Sequence, residues 1–598
     1  MKKAKSVVWD LSDLYAGPDD SKMEEDFSTA IELAVAFKKT YRGKIASEAC
    51  SDRLLLQAMR DYEALIEQGY RPYAMANLLF AADGKSDKHK ALVAKAQETM
   101  TRVNNETLFF ALEIQKIPDD KISTFLTSDK LGRYRHYLES LRLFTKHTLP
   151  ENEEQLINRK NLSGKTAFVN LFDEFTASFE WQLEVNGETK TLTQSELHEL
   201  LRSQDADLRR SAKKAHDGKF GENALIFTNI LGSLIKDHAT EMDLRGYDSP
   251  IQPQHLNNKV PAEVVETMMD VAAEHYPLVQ HYCRLKAKML GLPKLSGSDL
   301  YAPVIKTDQV VPFEEGKALV LASFSHFSPE FGKMIERAFT ERWLDAEIRP
   351  GKRGGAFCYS IAPSLHPFVL MNYVDNLDSV YTMAHEFGHA LHTVLASENE
   401  TILTFHAPLV LAETASVFAE MLLTRKLLAE EANKEHRIQI IAAKLEDFFG
   451  TISRQTMYTR FELDVHLEGA KRRLSTNDFC QLWTKRRDEM YGDSVDFLEE
   501  EKWFWAVIPH FIHSRFYCYA YTFGALFVLA LFNRYEEEGE AFVPKYRALL
   551  AAGDSDWPKT QIQKVGLDFS QKSFWEGGFK VIESLLAELE SLVGDTPA

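Results

Sequence analysis

Residues 384–392 constrain this chain more than any other stretch, because two of their histidines stand four residues apart. The stretch has no proline and favours a helix. Residues i and i+4 lie on one face of a helix, so His385 and His389 project together. Two imidazoles at this spacing suit one zinc ion, and Glu386 beside them can handle a proton of water. The pattern therefore predicts a helix that carries two ligands of one Zn²⁺ ion.

A catalytic zinc ion usually has a third protein ligand. A longer histidine motif does not supply it, because His392 and Leu395 occupy its glycine and last histidine positions. Glu398 and Glu400 lie in a polar turn, where solvated carboxylates are ordinary. Glu413 lies within the apolar, helical pattern of residues 408–418, and a buried carboxylate is costly unless it is paired or metal-bound. We therefore expect Glu413 to be the third ligand.

Three neighbouring residues each allow two interpretations. Glu420 lies on the helical face of Glu413, where it either supports a ligand imidazole or forms an ordinary salt bridge. His392 lies on the ligand face of the histidine helix, as an alternative ligand or as a packing or hydrogen-bonding residue. Asp378 either accepts a proton from a ligand histidine or caps that helix.

With zinc in place, the residue types predict amide hydrolysis. Glu386 would take a proton from a zinc-bound water and pass it to the leaving amine. Donors for the oxyanion are available in residues 508–521, which are rich in histidine and tyrosine, although an aromatic core helix also explains this composition. The glycines of residues 351–355 either let the backbone approach a peptide strand or form a plain loop.

Composition narrows the setting. The net charge of −18 argues against general binding to nucleic acid or to anionic membranes. Five scattered cysteines form no disulfide framework, and residues 1–10 lack the apolar core of a signal peptide. The uncharged residues 516–533 contain several hydroxyl groups and favour a buried helix over a membrane span. We expect a cytoplasmic protein.

The chain also shows a candidate domain boundary. Helical periodicity dominates from residue 21 to about residue 115. An alternating segment, 179–185, is followed by Asn186-Gly187, which predicts a β-hairpin, and Thr193 begins a helix with a capping carboxylate at Glu196. We therefore expect an N-terminal helical domain, 1–195, that ends in the hairpin, and a catalytic domain, 196–598.

Four segments together resemble peptidase family M3, a family of zinc metallopeptidases, and within it the oligoendopeptidase F type. The resemblance covers most of the chain. The segments are residues 9–15 (WDLSDLY), 351–358 (GKRGGAFC), 382–392 (TMAHEFGHALH) and 413–416 (ETAS).

The resemblance implies a mainly α fold: a large, two-lobed, zincin-like body with a deep substrate channel and a small β element near the active site. It implies one Zn²⁺ ion bound by His385, His389 and Glu413, with Glu386 as the catalytic glutamate. It also implies that a C-terminal histidine and tyrosine region contacts the substrate and the transition state, and the candidates there are His510, His513, Tyr517 and Tyr519.

The expected function is therefore zinc-dependent endopeptidase action on internal bonds of short oligopeptides. We expect short oligopeptides as partners, with no nucleic acid, no membrane and no obligatory protein partner. Two alternatives stay open: a helical zinc carboxypeptidase or aminopeptidase, and a peptide-binding helical scaffold in which the histidine motif is accidental.

Overall fold

The computed structural model describes residues 7–305 and 310–594, and these residues are mostly helical. This confirms the mainly α fold class. Residues 1–6, on which the expected absence of an export signal partly rests, lie outside the described residues. Among the described helices, none is both long and apolar enough to cross a bilayer. The stretch 516–533 falls largely in a helix that is buried along most of its length.

The elements are numbered in chain order. The helices are α1 Ser21–Tyr41, α2 Asp52–Ala82, α3 Asp87–Gln115, α4 Asp119–Leu126, α5 Arg135–Arg142, α6 Glu151–Ser163, α7 Lys165–Ala177, α8 Gln194–Leu200, α9 Ala206–Glu222, α10 Ala224–Arg245, α11 Gln252–Asn257, α12 Ala262–Glu274, α13 Tyr276–Met289, α14 Phe313–Phe327, α15 Pro329–Thr340, α16 Leu377–Ser397, α17 Leu409–Ala412, α18 Thr414–Glu430, α19 Lys434–Phe448, α20 Arg454–Lys471, α21 Thr476–Tyr491, α22 His510–His513, α23 Tyr519–Glu538, α24 Val543–Ala551, α25 Pro558–Lys564 and α26 Lys572–Gly594. The strands are β1 Trp181–Val185, β2 Glu188–Leu192, β3 Leu295–Ser296, β4 Leu344–Asp345, β5 Phe357–Tyr359, β6 Phe368–Leu370 and β7 Val495–Asp496.

The chain forms two compact units, and each combines segments that are distant in sequence. The first unit comprises Met1–Thr145, Asp308–Glu430 and Arg534–Asp568, and the second comprises Lys146–Thr307, Glu431–Asn533 and Phe569–Ala598. The expected boundary at residue 195 divides the sequence into two continuous domains, whereas these units are each built from several segments. The expected boundary stays a prediction.

The second unit contains the predicted hairpin. Strands β1 and β2 pair antiparallel, and Asn186 and Gly187 both have positive φ, 56° and 80°. This is the two-residue turn that matches the twist of the strands. The helix start after it is also confirmed, because the side chains of Thr193 and Glu196 form a reciprocal capping box at the beginning of α8.

In the first unit, the segment 7–15 packs behind a small sheet of strand order β4-β6-β5. Trp9 is buried, and its ring lies 6.4 Å from that of Phe357 in β5 and 6.5 Å from that of Phe368 in β6. Within the described part of the chain, strand β5 pairs only with β6 and is therefore an edge strand. The packing of Trp9 fixes this edge from behind.

Helix α16 carries the histidine motif and confirms the predicted helix. The side chain of Asn376 caps its start by accepting the backbone N–H of Ser379 at 3.0 Å. The helix then packs against α18 with Gly388 at the contact. A Cβ atom at this glycine would stand 2.4 Å from the carbonyl oxygen of Ala415 and 2.5 Å from the Cα of Ser416. The absence of a side chain at Gly388 thus allows the two helix backbones to touch.

We predict that Gly388→Ala destabilises the protein, because the backbone of α18 cannot yield as a flexible side chain could. Overpacking of this kind costs roughly 1–3 kcal/mol. Chemical denaturation of the full chain, followed by circular dichroism, measures the loss.

The control is Gly232→Ala in α10, where an added Cβ meets no atom within 4 Å. Since alanine favours a helix over glycine by about 1 kcal/mol, this variant should be neutral or more stable. Equal stability of the Gly388 variant and the wild-type protein would contradict the tight contact.

Candidate metal centre

Three predicted ligands converge in the first unit. His385, His389 and Glu413 each offer one donor atom, and these atoms lie within 4.8 Å of one another. The Nε2 atoms of His385 and His389 stand 3.4 Å and 3.5 Å from Oε2 of Glu413. Helix α16 supplies the histidines, and the residue just before α18 supplies the carboxylate.

The donor set fits a zinc ion. Two nitrogens and one carboxylate oxygen form a ligand set found in catalytic zinc sites. Donors bound at about 2.0–2.2 Å around one tetrahedral ion stand about 3.3–3.6 Å apart. The observed separations of Oε2 of Glu413 from the two Nε2 atoms match this spacing.

Glu420 orients one of the imidazoles. The Nδ1–H of His385 donates to Oε1 of Glu420 at 2.8 Å, which leaves Nε2 of the ring for a metal. Burial alone would lower the pKa of His385, but this hydrogen bond and the charges of Glu420 and Glu413 raise it to about 9. The carboxylates of Glu420 and Glu413 therefore favour the positively charged form of this imidazole. Of the two interpretations of Glu420, the structure supports contact with the imidazole of His385, a predicted ligand.

The expected environment of Glu413 is wrong in one respect. The residue does not lie inside a continuous apolar helix, because α17 ends at Ala412 and α18 begins at Thr414. Its side chain is 46% exposed, and Oε2 also accepts the hydroxyl of Ser416 at 2.6 Å. The break turns the carboxylate away from the packed face of α18, so it need not be buried to meet the histidines.

Glu386 lies beside these donors and is almost completely buried. The backbone N–H of Cys358 in β5 donates to its carboxylate. Burial raises the pKa of Glu386 to about 7, although the nearby His385 acts in the opposite direction. The carboxylate is thus held next to the donor cluster and close to the edge strand.

A cavity of about 630 Å³ opens at this site. His385, Glu386 and His389 line one side, and β5 lines another. The remaining wall includes Tyr70, Phe405 and His406, which sequence analysis missed. No local pattern marks Tyr70, since it comes from α2, more than 300 residues before the histidine motif. The glycine loop before β5 leads directly to the cavity, and Gly351 and Gly355 adopt positive φ values of 94° and 77°.

The other candidates near the motif are accounted for within the first unit. His392 is buried and lines the cavity, but it is not one of the three converging donors. Burial lowers its pKa to about 3, so it is neutral. Asn376, not Asp378, caps α16 by its side chain. Glu398 pairs with Arg547 at 2.8 Å.

Glu400 accepts the hydroxyl of Thr404 at 2.8 Å. Neither this carboxylate nor that of Glu398 belongs to the converging set. The structure therefore gives both residues of the polar turn ordinary structural contacts.

The predicted histidine and tyrosine region belongs to the second unit. Nε2 of His510 lies 3.3 Å from the hydroxyl of Tyr521, and Tyr517 stacks on His510 with ring centroids 6.0 Å apart. His513 is exposed and pairs with Asp173 at 2.8 Å.

Tyr519 differs from these residues. It is fully buried, and its hydroxyl accepts the side-chain N–H of Asn258 at 2.7 Å and lies 3.2 Å from Nδ1 of His255. A buried hydroxyl with partners inside the unit is not free to meet a peptide. This arrangement does not favour the predicted contact between Tyr519 and a substrate.

The sequence was compared with models of known protein families. The model of peptidase family M3 matches residues 199–581. The chain belongs to peptidase family M3. A second model, described as Oligopeptidase F, matches residues 113–181. The resemblance predicted from the four segments is confirmed, and the protein is a metallo-endopeptidase of this family.

Relatives of this family M3 chain match nearly its whole length. Group B oligopeptidase PepB of Streptococcus agalactiae is 28% identical over 98% of this chain and 97% of its own. Oligopeptidase PepF of Bacillus subtilis is 27% identical over 98% of this chain and 87% of its own. The crystal structure of oligoendopeptidase-F from Enterococcus faecium has a TM-score of 0.71 at 25% identity, covering 96% of this chain and 99% of that one.

We predict that Glu420→Ala weakens metal binding by this family M3 enzyme, because His385 loses the acceptor that fixes its ring. Loss of such a partner raises the dissociation constant of the metal by roughly 10-fold to 100-fold. Competition with a chromophoric chelator measures the constant.

Glu430→Ala on the same helix is the control, since Glu430 is exposed and pairs with Lys426. Its metal affinity should equal that of the wild type. An unchanged affinity in the folded Glu420 variant would show that the contact does not orient the ligand.

Proposed function

We propose that the protein is a zinc-dependent endopeptidase that hydrolyses internal peptide bonds of short oligopeptides, with Glu386 as the general base. The observation that carries this proposal is the convergence of His385, His389 and Glu413 beside Glu386 at an open cavity. The names of the oligopeptidase and oligoendopeptidase relatives support the substrate class.

His385, His389 and Glu413 would hold the ion. When bound, zinc lowers the pKa of water and polarises a carbonyl oxygen. Glu386 accepts a proton from the attacking water and returns it to the leaving amine. The N–H of Cys358, by donating to Glu386, holds the carboxylate in position for both transfers. The role of Glu420 is to keep the His385 ring turned toward the ion.

Strand β5 would hold the peptide. It lines the cavity and has no strand partner on one side among the described residues. An extended peptide can add to such an edge through backbone hydrogen bonds, which do not depend on side-chain identity. This mode suits an enzyme that accepts many sequences in extended form.

His510 and Tyr517 remain candidates for contact with the substrate or the transition state. Both are only partly buried, and with Tyr521 they form one aromatic cluster of the second unit. Their imidazole and hydroxyl groups can donate to an oxyanion. The exposed His513 is a second histidine candidate, and Tyr519 is the weakest of the four because its hydroxyl is engaged by Asn258.

The proposal includes action in the cytoplasm. All five cysteines are free, and burial raises the pKa of the Cys283 thiol to about 12. Unreactive, unpaired thiols suit a reducing compartment. Short oligopeptides are the proposed partners, without nucleic acid, membrane or an obligatory protein.

The test uses a mixed library of short peptides blocked at both ends, with products identified by mass spectrometry. We expect internal cleavage that a chelator abolishes and zinc restores. Glu386→Gln should keep its zinc but lose activity by roughly 100-fold to 10,000-fold, because the general base is gone. Zinc content is measured on the same samples.

Glu398→Gln is the matched control, at the end of the same helix and paired with Arg547; its turnover should be normal. If the enzyme cleaves the same peptides only when their ends are unblocked, it is a carboxypeptidase or an aminopeptidase. Near-normal turnover of zinc-loaded Glu386→Gln would refute the role of Glu386. If the purified protein contains no metal and a chelator does not change its stability, the alternative of a peptide-binding helical scaffold would be favoured.

A further inference from the structure

The second unit contains a small cavity of about 50 Å³ with an unusual charge. Three cationic side chains line it, those of Lys213, Arg454 and Arg487, and Glu501 is the carboxylate among its lining residues. Helices α9, α20 and α21 and the short helix Glu499–Val507 supply these groups. The cavity plays no part in the function proposed above.

Two of the three cations have acidic partners. Nζ of Lys213 lies 2.8 Å from Oδ2 of Asp217 and 3.6 Å from Oε1 of Glu501. Arg487 pairs with Asp488 at 2.8 Å, and its guanidinium lies over the ring of Phe497. Their charges are therefore largely compensated within the protein.

Arg454 lacks this compensation. Its Nη1 donates to the hydroxyl of Tyr301 at 2.6 Å, but within the described residues no carboxylate lies within ion-pair distance of its guanidinium. An arginine cannot shed its charge by losing a proton. Burying part of a cation without a counter-ion costs free energy. An anion bound from solution next to Arg454 would offset this cost.

Trp483 gives an independent indication. It lines the same cavity and is only 2% exposed. Its Nε1–H is buried and has no hydrogen-bond partner among the described residues. An indole N–H can only donate. A buried donor without an acceptor and an uncompensated guanidinium line the same cavity, and together they favour a negatively charged occupant over a cation or an apolar molecule.

The backbone before Arg454 is also irregular. Residues Phe449–Ser453 form a π-helical turn between α19 and α20. Such turns are rare and are frequently found at functional sites. Here the turn leads directly into the residue whose charge is uncompensated.

The size of the cavity limits the occupant. A water molecule occupies about 30 Å³ in the liquid, so the cavity has room for one or two particles of that size. A halide ion fits in this space, which is too small to enclose a peptide or a nucleotide.

We propose that this cavity binds one small monovalent inorganic anion, such as chloride, between Arg454 and the indole N–H of Trp483. The anion neutralises the guanidinium and joins α20 to α21. Because a ligand of the folded state stabilises it by mass action, the stability of the chain depends on the concentration of this anion.

The first measurement is the thermal unfolding midpoint of the full chain, with chloride replaced by gluconate at constant ionic strength. Constant ionic strength keeps the screening of surface charges unchanged. We expect chloride to raise the midpoint by roughly 1–4 °C in a saturable manner. Arg454→Met should remove this response.

Arg472→Met is the matched control, because Arg472 is an exposed arginine at the end of α20 that pairs with Asp478; its chloride response should persist. Trp483→Phe keeps a ring but removes the N–H, and it should need a higher chloride concentration for half of the effect. This variant keeps the test available if Arg454→Met does not fold.

The second measurement is anomalous diffraction from wild-type crystals grown in bromide, where we expect a peak beside Arg454 and Trp483. A peak with a chloride response that Arg454→Met lacks supports the proposal. No peak, or equal unfolding midpoints in chloride and gluconate, would overturn it and leave the cavity to water.

Discussion

The candidate metal centre depends on the contact between α16 and α18 at Gly388. A hydrogen atom in place of a side chain lets the backbone of Ala415 and Ser416 lie against α16. Glu413 then stands just before the contact and Glu420 just after it, so both carboxylates reach imidazoles on α16. One close approach of two helices thus supplies a third donor and a supporting hydrogen bond at the same time.

Local sequence patterns predicted much of this centre. The period of a helix is enough to predict that His385 and His389 lie on one face. Glu413 was predicted because a carboxylate in an apolar stretch is costly to bury unless it is paired or metal-bound. The break in the helix at Glu413 was not predictable in the same way, because tertiary contacts of α18 decide it. The amide of Cys358 and the ring of Tyr70 were missed, since no short-range pattern links them to residue 386.

The same distinction applies to the fold, because local patterns predict single elements and not the packing of segments that are distant in sequence. The helices α1–α3 and the hairpin at Asn186-Gly187 follow from periodicity and turn chemistry. The two compact units are each assembled from three separate segments. Packing between distant segments decides this assembly, and local sequence patterns do not reveal it.

The proposed function requires that His385, His389 and Glu413 bind one zinc ion. Anomalous diffraction across the zinc absorption edge, on crystals of the protein as purified, tests it directly. We expect one strong peak at about 2.0–2.2 Å from Nε2 of both histidines and from a carboxylate oxygen of Glu413. Crystals of protein that is active as a peptidase but shows no peak there, or shows a zinc ion bound by other residues, would contradict this assignment.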